Sequence, residues 1–180
     1  MLGDLSRVLV PMAKLLFNYM NKIERWYYTM RVKLTAESTG KDLRVNGKSY
    51  VNANTELGDN VNFNGMKIRG DGKVTIGDNF HSGPDCRILT RNHNYDNGTK
   101  IPYDSTYIRK EVSVGDNVWM GVDSMILPGV NIEEGAIIQA GSTVVSDVPK
   151  GAIVGGHPAE LFSYRDMEHY KKMKEEGNFQ

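Results

Sequence analysis

Apolar residues recur at every sixth position in the second half of the chain, between Val114 and Pro149. Each six-residue block (hexad) opens on an aliphatic residue or Met, and its fifth residue is small or apolar. The first positions are Val114, Met120, Ile126, Ile132, Ile138 and Val144, and the fifth positions are Val118, Ser124, Val130, Ala136, Ser142 and Val148. A period of six fits neither a helix nor an alternating strand, so it predicts a structural repeat.

The first half of the chain shows the same period less regularly. One phase runs through Val45, Val51, Leu57 and Phe63, and one extra residue near Arg69 and Gly70 shifts it to Ile76, Ser82 and Ile88. Gly-Asp-Asn triplets at 58–60, 77–79 and 115–117 mark corners, where left-handed backbone conformations cost least. At three hexads per turn, the fourteen hexads of the chain predict nearly five stacked coils.

Hexads of this kind build a triangular solenoid. Each block supplies one short strand and one corner, three blocks close a triangle, and successive coils stack about 4.8 Å apart. No coil buries its own interior, so stacking forms the core and the chain ends cap it. We therefore expect an all-β solenoid domain over residues 37–163, interrupted by a loop at 94–113 that lacks the period.

The two ends of the chain predict helices. Between positions 4 and 34, apolar residues recur at three- and four-residue steps, which indicates an amphipathic helix in segment 1–36 with a restart at Pro11. Its basic residues outnumber its acidic ones, so it either covers one end of the core or a neighbouring subunit, or attaches weakly to an anionic membrane surface. In segment 164–180, Tyr164–Glu176 predicts a short helix that Gly177 ends.

Composition adds limits on compartment and partners. A chain of 180 residues with 39% hydrophobic content holds one domain with a sizeable core. Lys plus Arg and Asp plus Glu are equal at 22 each, so no overall field recruits nucleic acid. The single Cys86 excludes an internal disulfide. The apolar run Val8–Phe17 is broken by Pro11 and Lys14, which argues against a signal peptide or membrane span and favours the cytoplasm.

The loop sequences N-H-N-Y-D at 92–96 and I-P-Y-D-S-T-Y-I at 101–108 resemble the sugar and polysaccharide O-acetyltransferase branch of the hexapeptide-repeat acyltransferases. Four blocks of the predicted coil also resemble that family. They read V-W-M-G at 118–121, I-L-P-G-V at 126–130, A-G-S-T-V-V at 140–145 and I-V-G-G-H-P-A at 153–159. The resemblance covers about Val45 to Arg165. It implies a left-handed parallel β-helix, although parallel connections are otherwise right-handed. It also implies a homotrimer that binds acetyl-CoA between neighbouring subunits.

The interrupting loop opens on N-H-N-Y-D at 92–96, which is similar to the N-H-x-x-D segment of that family. The resemblance implies that His93 is the general base. Its chemistry suits the role, because an imidazole with a pKa near 6.5 is largely neutral at pH 7 and can accept the proton of a sugar hydroxyl. The acetyl thioester carries its own leaving group, so neither a metal nor a covalent intermediate is needed. His81 and His93 also lack a third partner for zinc.

Three residues are candidates for binding the acceptor. Asn64 matches a place where family members carry an Asn that faces the substrate, although a corner Asn explains it equally well. His81 ends a hexad and is expected near the acceptor. Asp96 either orients His93, binds an acceptor hydroxyl or caps the loop.

The resemblance also indicates a cofactor wall. Trp119 offers an apolar face and a ring N–H to the pantetheine arm of CoA. Small residues at the neighbouring corners allow close approach to the backbone, although the coil itself also requires them. Ser146 and Glu160 stand where relatives carry basic residues, and Lys150 and Arg165 are nearby substitutes for binding the CoA phosphates. The predicted cofactor residues are Trp119, Gly121, Val122, Ala140, Gly141, Val145, Ser146, Lys150 and Arg165.

These patterns predict an enzyme that moves an acetyl group from acetyl-CoA to a sugar hydroxyl in a ternary complex, in bacterial surface polysaccharide synthesis. Two other acceptors stay open within the class: the amine of an amino-sugar nucleotide, and an antibiotic. The alternative outside the enzymes is a hexapeptide solenoid that has no catalytic activity and serves as an assembly scaffold. Cys86 falls at an inward fifth position, so we expect it in the core and not as a nucleophile.

Overall fold

The computed structural model describes residues 2–180, with the side chains of residues 9–180. A solenoid of short parallel strands lies between helix α1 (Leu2–Thr35) and helix α2 (Met167–Glu175). The strands are β1 (Ser38–Thr39), β2 (Arg44–Asn46), β3 (Thr55–Leu57), β4 (Asn62–Asn64), β5 (Lys67–Arg69), β6 (Val74–Ile76), β7 (His81–Pro84), β8 (Arg87–Leu89), β9 (Arg91–His93), β10 (Tyr107–Arg109), β11 (Val112–Val114), β12 (Trp119–Met120), β13 (Met125–Ile126), β14 (Asn131–Ile132), β15 (Ile137–Ile138), β16 (Thr143–Val144), β17 (Ala152–Gly156) and β18 (Ala159–Tyr164).

Three parallel sheets form the three faces of the coil. The first face has the order β1-β3-β6-β11-β14, the second has β2-β4-β7-β12-β15-β17, and the third has β5-β8-β13-β16. The second face stacks six parallel strands, so the coil has about six turns. This is about one turn more than the hexad count predicts, because Ala152–Gly156 continues the second face beyond Pro149.

The hexad positions form the core, as predicted. Five of the six first positions after residue 113 are 0–1% exposed, and Val114 is 3% exposed. The fifth positions are buried as well, from Val118 through Val148. The phase shift in the first half is spread over two corners, because Ile68 follows Phe63 by five residues and Ile76 follows Ile68 by eight.

The Gly-Asp-Asn corners adopt the predicted left-handed conformation at their Asn residues. Asn60, Asn79 and Asn117 have φ values of 54°, 55° and 58°. Each amide donates to the next along the stack, at 3.0 Å from Asn60 to Asn79 and 3.1 Å from Asn79 to Asn117. These side chains therefore hold successive coils in register at one edge of the solenoid.

Helix α1 runs from Leu2 to Thr35 with Pro11 inside it, so the predicted restart at Pro11 is wrong. Only its last turns pack on the coil. Val32 is fully buried, the Thr29 hydroxyl accepts the Val45 N–H at 3.3 Å, and the Tyr28 ring lies edge-on to Tyr50 at 6.5 Å. The described residues before Tyr28 are largely exposed. Within residues 2–180, no helix combines the length and the apolar character that crossing a bilayer requires.

The C-terminal helix begins later than the sequence predicts. Tyr164 belongs to β18, which pairs antiparallel with β17, and Asp166 caps α2 by accepting the N–H groups of Glu168 and His169. The prediction failed for a physical reason. In the hairpin, the backbone of residues 159–164 has hydrogen-bond partners in β17, and a helix that began at Tyr164 would lose some of them. Helix α2 then packs near Glu134, whose carboxylate accepts hydrogen bonds from Tyr170 at 2.8 Å and from Lys174.

Candidate active site

His93 lies on a hairpin that leaves the coil. Strand β9 pairs antiparallel with β10, and His93 stands opposite Tyr107. The hairpin closes at its base where the Lys110 N–H donates to the Thr90 carbonyl at 2.9 Å. Part of the loop predicted at 94–113 is therefore regular, because Tyr107–Arg109 supplies the second strand of this hairpin.

Two tyrosine rings enclose the His93 imidazole. Tyr103 stacks on it with ring centroids 3.7 Å apart at an interplanar angle of 20°, and Tyr107 lies 4.7 Å away at 37°. The Nδ1 atom of His93 is buried and has no hydrogen-bond partner among the described groups. The plane of the imidazole is thus fixed by packing, and Nε2 is the ring nitrogen left to meet a substrate.

Asp104 organises the rest of the loop. Its carboxylate accepts the N–H of Thr99 at 2.9 Å and the N–H and hydroxyl of Thr106 at 2.8 and 2.5 Å. The Thr106 hydroxyl, together with these N–H donors, lowers the pKa of Asp104 to about 2. Sequence reasoning missed this residue, although Asp104-Ser105-Thr106 is a spacing at which an Asp accepts the N–H two residues later.

A second carboxylate ties the hairpin to the coil. Asp71 accepts Nε of Arg109 at 2.8 Å and lies 3.4 Å from a guanidinium nitrogen of Arg91. The Arg109 hydrogen bond holds the pKa of Asp71 below its usual value. Arg91 also lies over the Tyr107 ring, 4.2 Å from its centroid. Arg91 therefore links the ion pair to one of the two rings that enclose His93.

Asn64 and His81 meet on the second face. The Asn64 amide nitrogen donates to the Ser82 carbonyl at 2.6 Å and lies 3.4 Å from His81 Nε2. Asn46 donates to the Asn64 side-chain oxygen at 3.0 Å. Burial lowers the pKa of His81, which favours its neutral form. Asp96 is separate from this pair: it is exposed on the loop and forms no hydrogen bond or ion pair with the described residues.

Trp119 adjoins His81 in register on the second face and is 49% exposed. A groove of about 370 Å³ beside it is lined by Trp119, Gly121, Val122 and Ala140. The structure therefore brings four of the predicted cofactor residues together. Gly121 fits the tight stacking of this corner, because a Cβ there would lie 2.5 Å from the Ala140 nitrogen.

Three further predicted cofactor residues are not among those that line this groove. Gly141 has a φ of +70° with open space around it, Val145 is 48% exposed, and Ser146 is exposed. Their role in binding the cofactor stays a prediction.

The two predicted basic residues lie elsewhere. Lys150 pairs with Glu134 at 2.8 Å, at the corner between the first and second faces, whereas the groove lies at the corner between the second and third. Nε of Arg165 donates to the Gly135 carbonyl at 2.5 Å. The role of both in binding CoA phosphates stays a prediction, and Lys150 would have to leave Glu134 to perform it.

A larger cleft of about 820 Å³ lies on the other side of Trp119, between the second face and α2. His81, Trp119, Arg165 and His169 are among the residues that line it. The cleft and the groove share Trp119, so an elongated ligand could follow both. In contrast, His93 lines neither cavity, and no hydrogen bond or ring contact in the described residues joins it to Trp119 or His81.

The described residues contain no convergent group of three or more His, Cys, Asp or Glu side chains that would hold a metal ion. Cys86 is buried as predicted, and burial raises the pKa of its thiol. Its sulfur lies 3.1 Å from the Gly121 carbonyl oxygen. A buried, protonated thiol is a poor nucleophile, so this residue belongs to the core.

Comparison with known proteins gives concordant matches. A family model described as the hexapeptide repeat of succinyl-transferase matches residues 111–146. Nodulation protein L of Rhizobium meliloti is 35% identical over 140 residues, which cover 77% of this chain and 75% of that protein. Galactoside O-acetyltransferase of Escherichia coli is 31% identical over 125 residues, 67% of this chain and 60% of that protein.

A solved structure of a galactoside acetyltransferase in complex with coenzyme A superimposes with a TM-score of 0.67 at 27% identity. The superposition covers 77% of this chain and 70% of that one. Several other curated relatives are matched over only about half of their own length.

Proposed function

The chain belongs to the hexapeptide-repeat acyltransferase family, and we propose that it transfers an acetyl group from acetyl-CoA to a hydroxyl group of a sugar. The observation that carries the proposal is the fixed imidazole of His93, with one nitrogen buried and the ring held between Tyr103 and Tyr107. A general base needs this kind of orientation, because proton transfer depends on geometry first and on pKa second.

That geometry supports a direct transfer with His93 as the base. In the resting tautomer Nδ1 carries the ring proton, and Nε2 takes the proton of the acceptor hydroxyl as its oxygen attacks the thioester carbonyl. The carbon–oxygen bond forms, and the tetrahedral oxyanion collapses with loss of the CoA thiolate, which takes the proton from the imidazolium. General-base assistance of this kind contributes about 10² to 10⁴ in rate.

The groove at Trp119 suits the pantetheine arm of acetyl-CoA. The arm is thin and amphipathic, and the groove offers it an indole face beside the small residues Gly121 and Ala140. A related acetyltransferase has been solved with coenzyme A bound, which supports a CoA site in this chain. We propose that Gly141, Val145 and Ser146 continue the groove, and that Lys150 and Arg165 contact the phosphate end.

A homotrimer would complete the site. His93 and the Trp119 groove lie on separate elements of one chain, so we propose that a base from one subunit faces a groove of its neighbour. Oligomers with cyclic symmetry repeat such a contact at every interface. Asn64 and His81, which are already paired, and Asp96 on the loop would then bind the acceptor.

The acceptor is proposed to be a sugar of a surface polysaccharide or glycolipid, acetylated in the cytoplasm, where acetyl-CoA is available. Two relatives are named galactoside O-acetyltransferases, which supports a hydroxyl acceptor. An amine needs less help from a base than a hydroxyl does. Dependence on His93 together with a hydroxyl acceptor therefore separates O-acetylation from N-acetylation.

An acceptor screen tests the proposal. Release of free thiol from acetyl-CoA is followed with simple sugars, amino-sugar nucleotides and chloramphenicol, and products are identified by mass. We expect turnover with a sugar hydroxyl and a product heavier by one acetyl group. Turnover with amines alone would replace the proposal by N-acetylation. No turnover with any acceptor, together with no protection of the protein against heat by acetyl-CoA, would indicate a scaffold.

A further inference from the structure

Most of the exposed large apolar side chains among the described residues lie on helix α1. Six of its side chains define an apolar stripe: Leu9, Leu16, Tyr19, Ile23, Trp26 and Met30. They are 38–66% exposed. At about 100° per residue, these six fall within about 100° of arc on one side of the helix. A stripe this continuous on a long helix needs a partner in water.

The stripe faces away from the solenoid. The residues that attach α1 to β2, Tyr28, Thr29 and Val32, lie about 160° around the helix from the centre of the stripe. The helix is 34 residues long, about 50 Å, and only its last turns make this attachment. The stripe can therefore meet an external surface while the helix stays anchored to the coil.

The charge of α1 complements an anionic surface. Among residues 9–34 the basic side chains are Lys14, Lys22, Arg25, Arg31 and Lys33, and the only acidic one is Glu24. Lys22 and Lys33 lie beside the stripe, about 70–90° from its centre, and form no ion pair with any residue whose side chain is described. Lys14 and Arg25 lie on the opposite side of the helix. Arg31 is engaged differently, 4.4 Å above the Tyr50 ring. Basic side chains beside an aromatic and aliphatic stripe are typical of helices that lie in a lipid interface.

We propose that α1 attaches the protein to an anionic lipid surface, lying in the interface plane with the apolar stripe towards the acyl chains. Trp26 and Tyr19 belong at the headgroup boundary, where their rings are half apolar and half polar. Lys22 and Lys33 reach the lipid phosphates from the flank of the stripe. The inference does not depend on catalysis, but it would hold the coil next to acceptors that are themselves attached to the membrane.

A second copy of α1 is the other possible occupant, and the apolar arc is too broad for it. A coiled-coil seam buries only its a and d positions. Leu15, Met20 and Tyr27 lie outside the a and d positions of a seam that passes through Leu9 and Ile23, but within about 70° of the centre of the stripe. They are 51–72% exposed. A lipid interface covers the whole arc, so it accounts for more of these side chains than a helix pair does.

Flotation with vesicles tests the attachment in the full chain. We expect the protein to rise with vesicles of phosphatidylcholine mixed with phosphatidylglycerol, less with phosphatidylcholine alone, and less as salt is added. Leu16→Glu should lower the bound fraction about tenfold or more, because it removes an apolar anchor and places a charge in the interface. Asn18→Glu makes the same charge change on the polar side of the helix, and it should lower the bound fraction by less than about fivefold.

The remaining outcomes would overturn the proposal. One is no flotation of the parent protein, and another is equal loss in Leu16→Glu and Asn18→Glu. If Leu16→Glu reduces the oligomeric mass in sedimentation while the parent ignores vesicles, the stripe is a contact between subunits. Circular dichroism of each variant shows that the coil is folded. Flotation reads only the position of the protein, so failure of acetyl transfer would leave this result intact.

Discussion

At the scale of single residues, the His93 imidazole owes its position to packing and not to a hydrogen bond. Its neighbours are the rings of Tyr103 and Tyr107, and its buried Nδ1 has no partner in the described residues. Stacked aromatic contacts contribute about 0.5–1.5 kcal/mol beyond burial. They restrict the imidazole to one plane, which a base needs if it is to meet the acceptor hydroxyl repeatedly in the same geometry.

Removing the Tyr103 ring should therefore slow the chemical step. We expect Tyr103→Ala to lower kcat about three- to tenfold, corresponding to the loss of one stacked pair, while KM for acetyl-CoA is unchanged. Tyr103→Phe keeps the ring and should retain most of the activity. Steady-state kinetics of both variants check this. A large loss in Tyr103→Phe would show that the hydroxyl acts in the reaction and that stacking is not the reason.

The site residues that were predicted from the sequence differ from those that were missed in whether a local sequence motif surrounds them. The sequence predicted His93 because a short motif surrounds it. Asn64 lies inside β4 and not at a corner. Tyr103 and Asp104 were missed as site residues because they follow the motif by about ten residues in a segment without period. Their contacts arise only when the hairpin folds back, and no local pattern encodes that return.

At the scale of elements, the hairpin and its loop form a unit that stands outside the core. Asp104 holds the segment from Thr99 to Thr106 through charge-assisted hydrogen bonds, which are stronger than neutral ones. Asp96, on the same loop, forms none with the described residues. Asp104 therefore fixes the shape of the loop, whereas the proposed role of Asp96 is contact with a ligand.

Asp104→Ala should loosen the loop without unfolding the coil. We expect acetyl transfer to fall at least about tenfold and limited proteolysis within residues 94–106 to become faster, while the melting temperature of the coil changes little. Asp96→Ala is the matched control: it should leave proteolysis unchanged and, as a predicted acceptor ligand, raise only KM for the acceptor. Equal proteolysis of the two variants would show that Asp104 does not order the loop.

Helix α2 donates two hydrogen bonds, from Tyr170 and Lys174, to one carboxylate of the coil, that of Glu134. Burial opposes the charge of Glu134, but hydrogen bonds from Lys150, Lys174 and Tyr170 outweigh it and hold the pKa of Glu134 at about 2. A folded-state pKa below the unfolded value means that this stabilisation is fully present above about pH 4.5 and is lost as the pH falls towards about 2.

Thermal unfolding across this pH range checks the linkage. Glu134→Gln should lower the free energy of unfolding by about 2 kcal/mol at pH 7, and the difference from the parent should shrink between pH 4.5 and pH 2. Glu175→Gln, on the exposed side of α2, should show no such difference. A gap between parent and Glu134→Gln that stays constant with pH would contradict the assignment.

At the scale of the whole molecule, the period of six predicted the stacked faces and the buried positions because one rule governs every turn. The hexad count was about one turn short of the observed coil of about six turns, and the C-terminal hairpin was not predicted. Strands β17 and β18 pair with each other, and this antiparallel pairing replaces the hexad pattern there. The sequence also did not decide which surface α1 packs against, because an amphipathic pattern identifies the apolar side of a helix but not what covers that side.

A shared site in a trimer makes a quantitative prediction. His93→Ala removes the base, and Ala140→Trp fills the groove beside Trp119. If each site combines a base from one subunit with a groove from its neighbour, equal mixing of the two inactive chains restores an intact pair in about a quarter of the sites. Co-expression and activity measurement check this. No recovery above the single variants would place base and groove in the same chain.

The kinetics of His93→Ala beside Asn92→Ala test the catalytic assignment most directly. Asn92 is the exposed neighbour on the same strand, with its side chain on the opposite side. We predict that His93→Ala lowers kcat/KM for the acceptor about a hundredfold or more, that acetyl-CoA still protects it against heat, and that Asn92→Ala keeps parental activity. A His93→Ala variant that transfers acetyl groups as fast as the parent would contradict the role of His93 as the base.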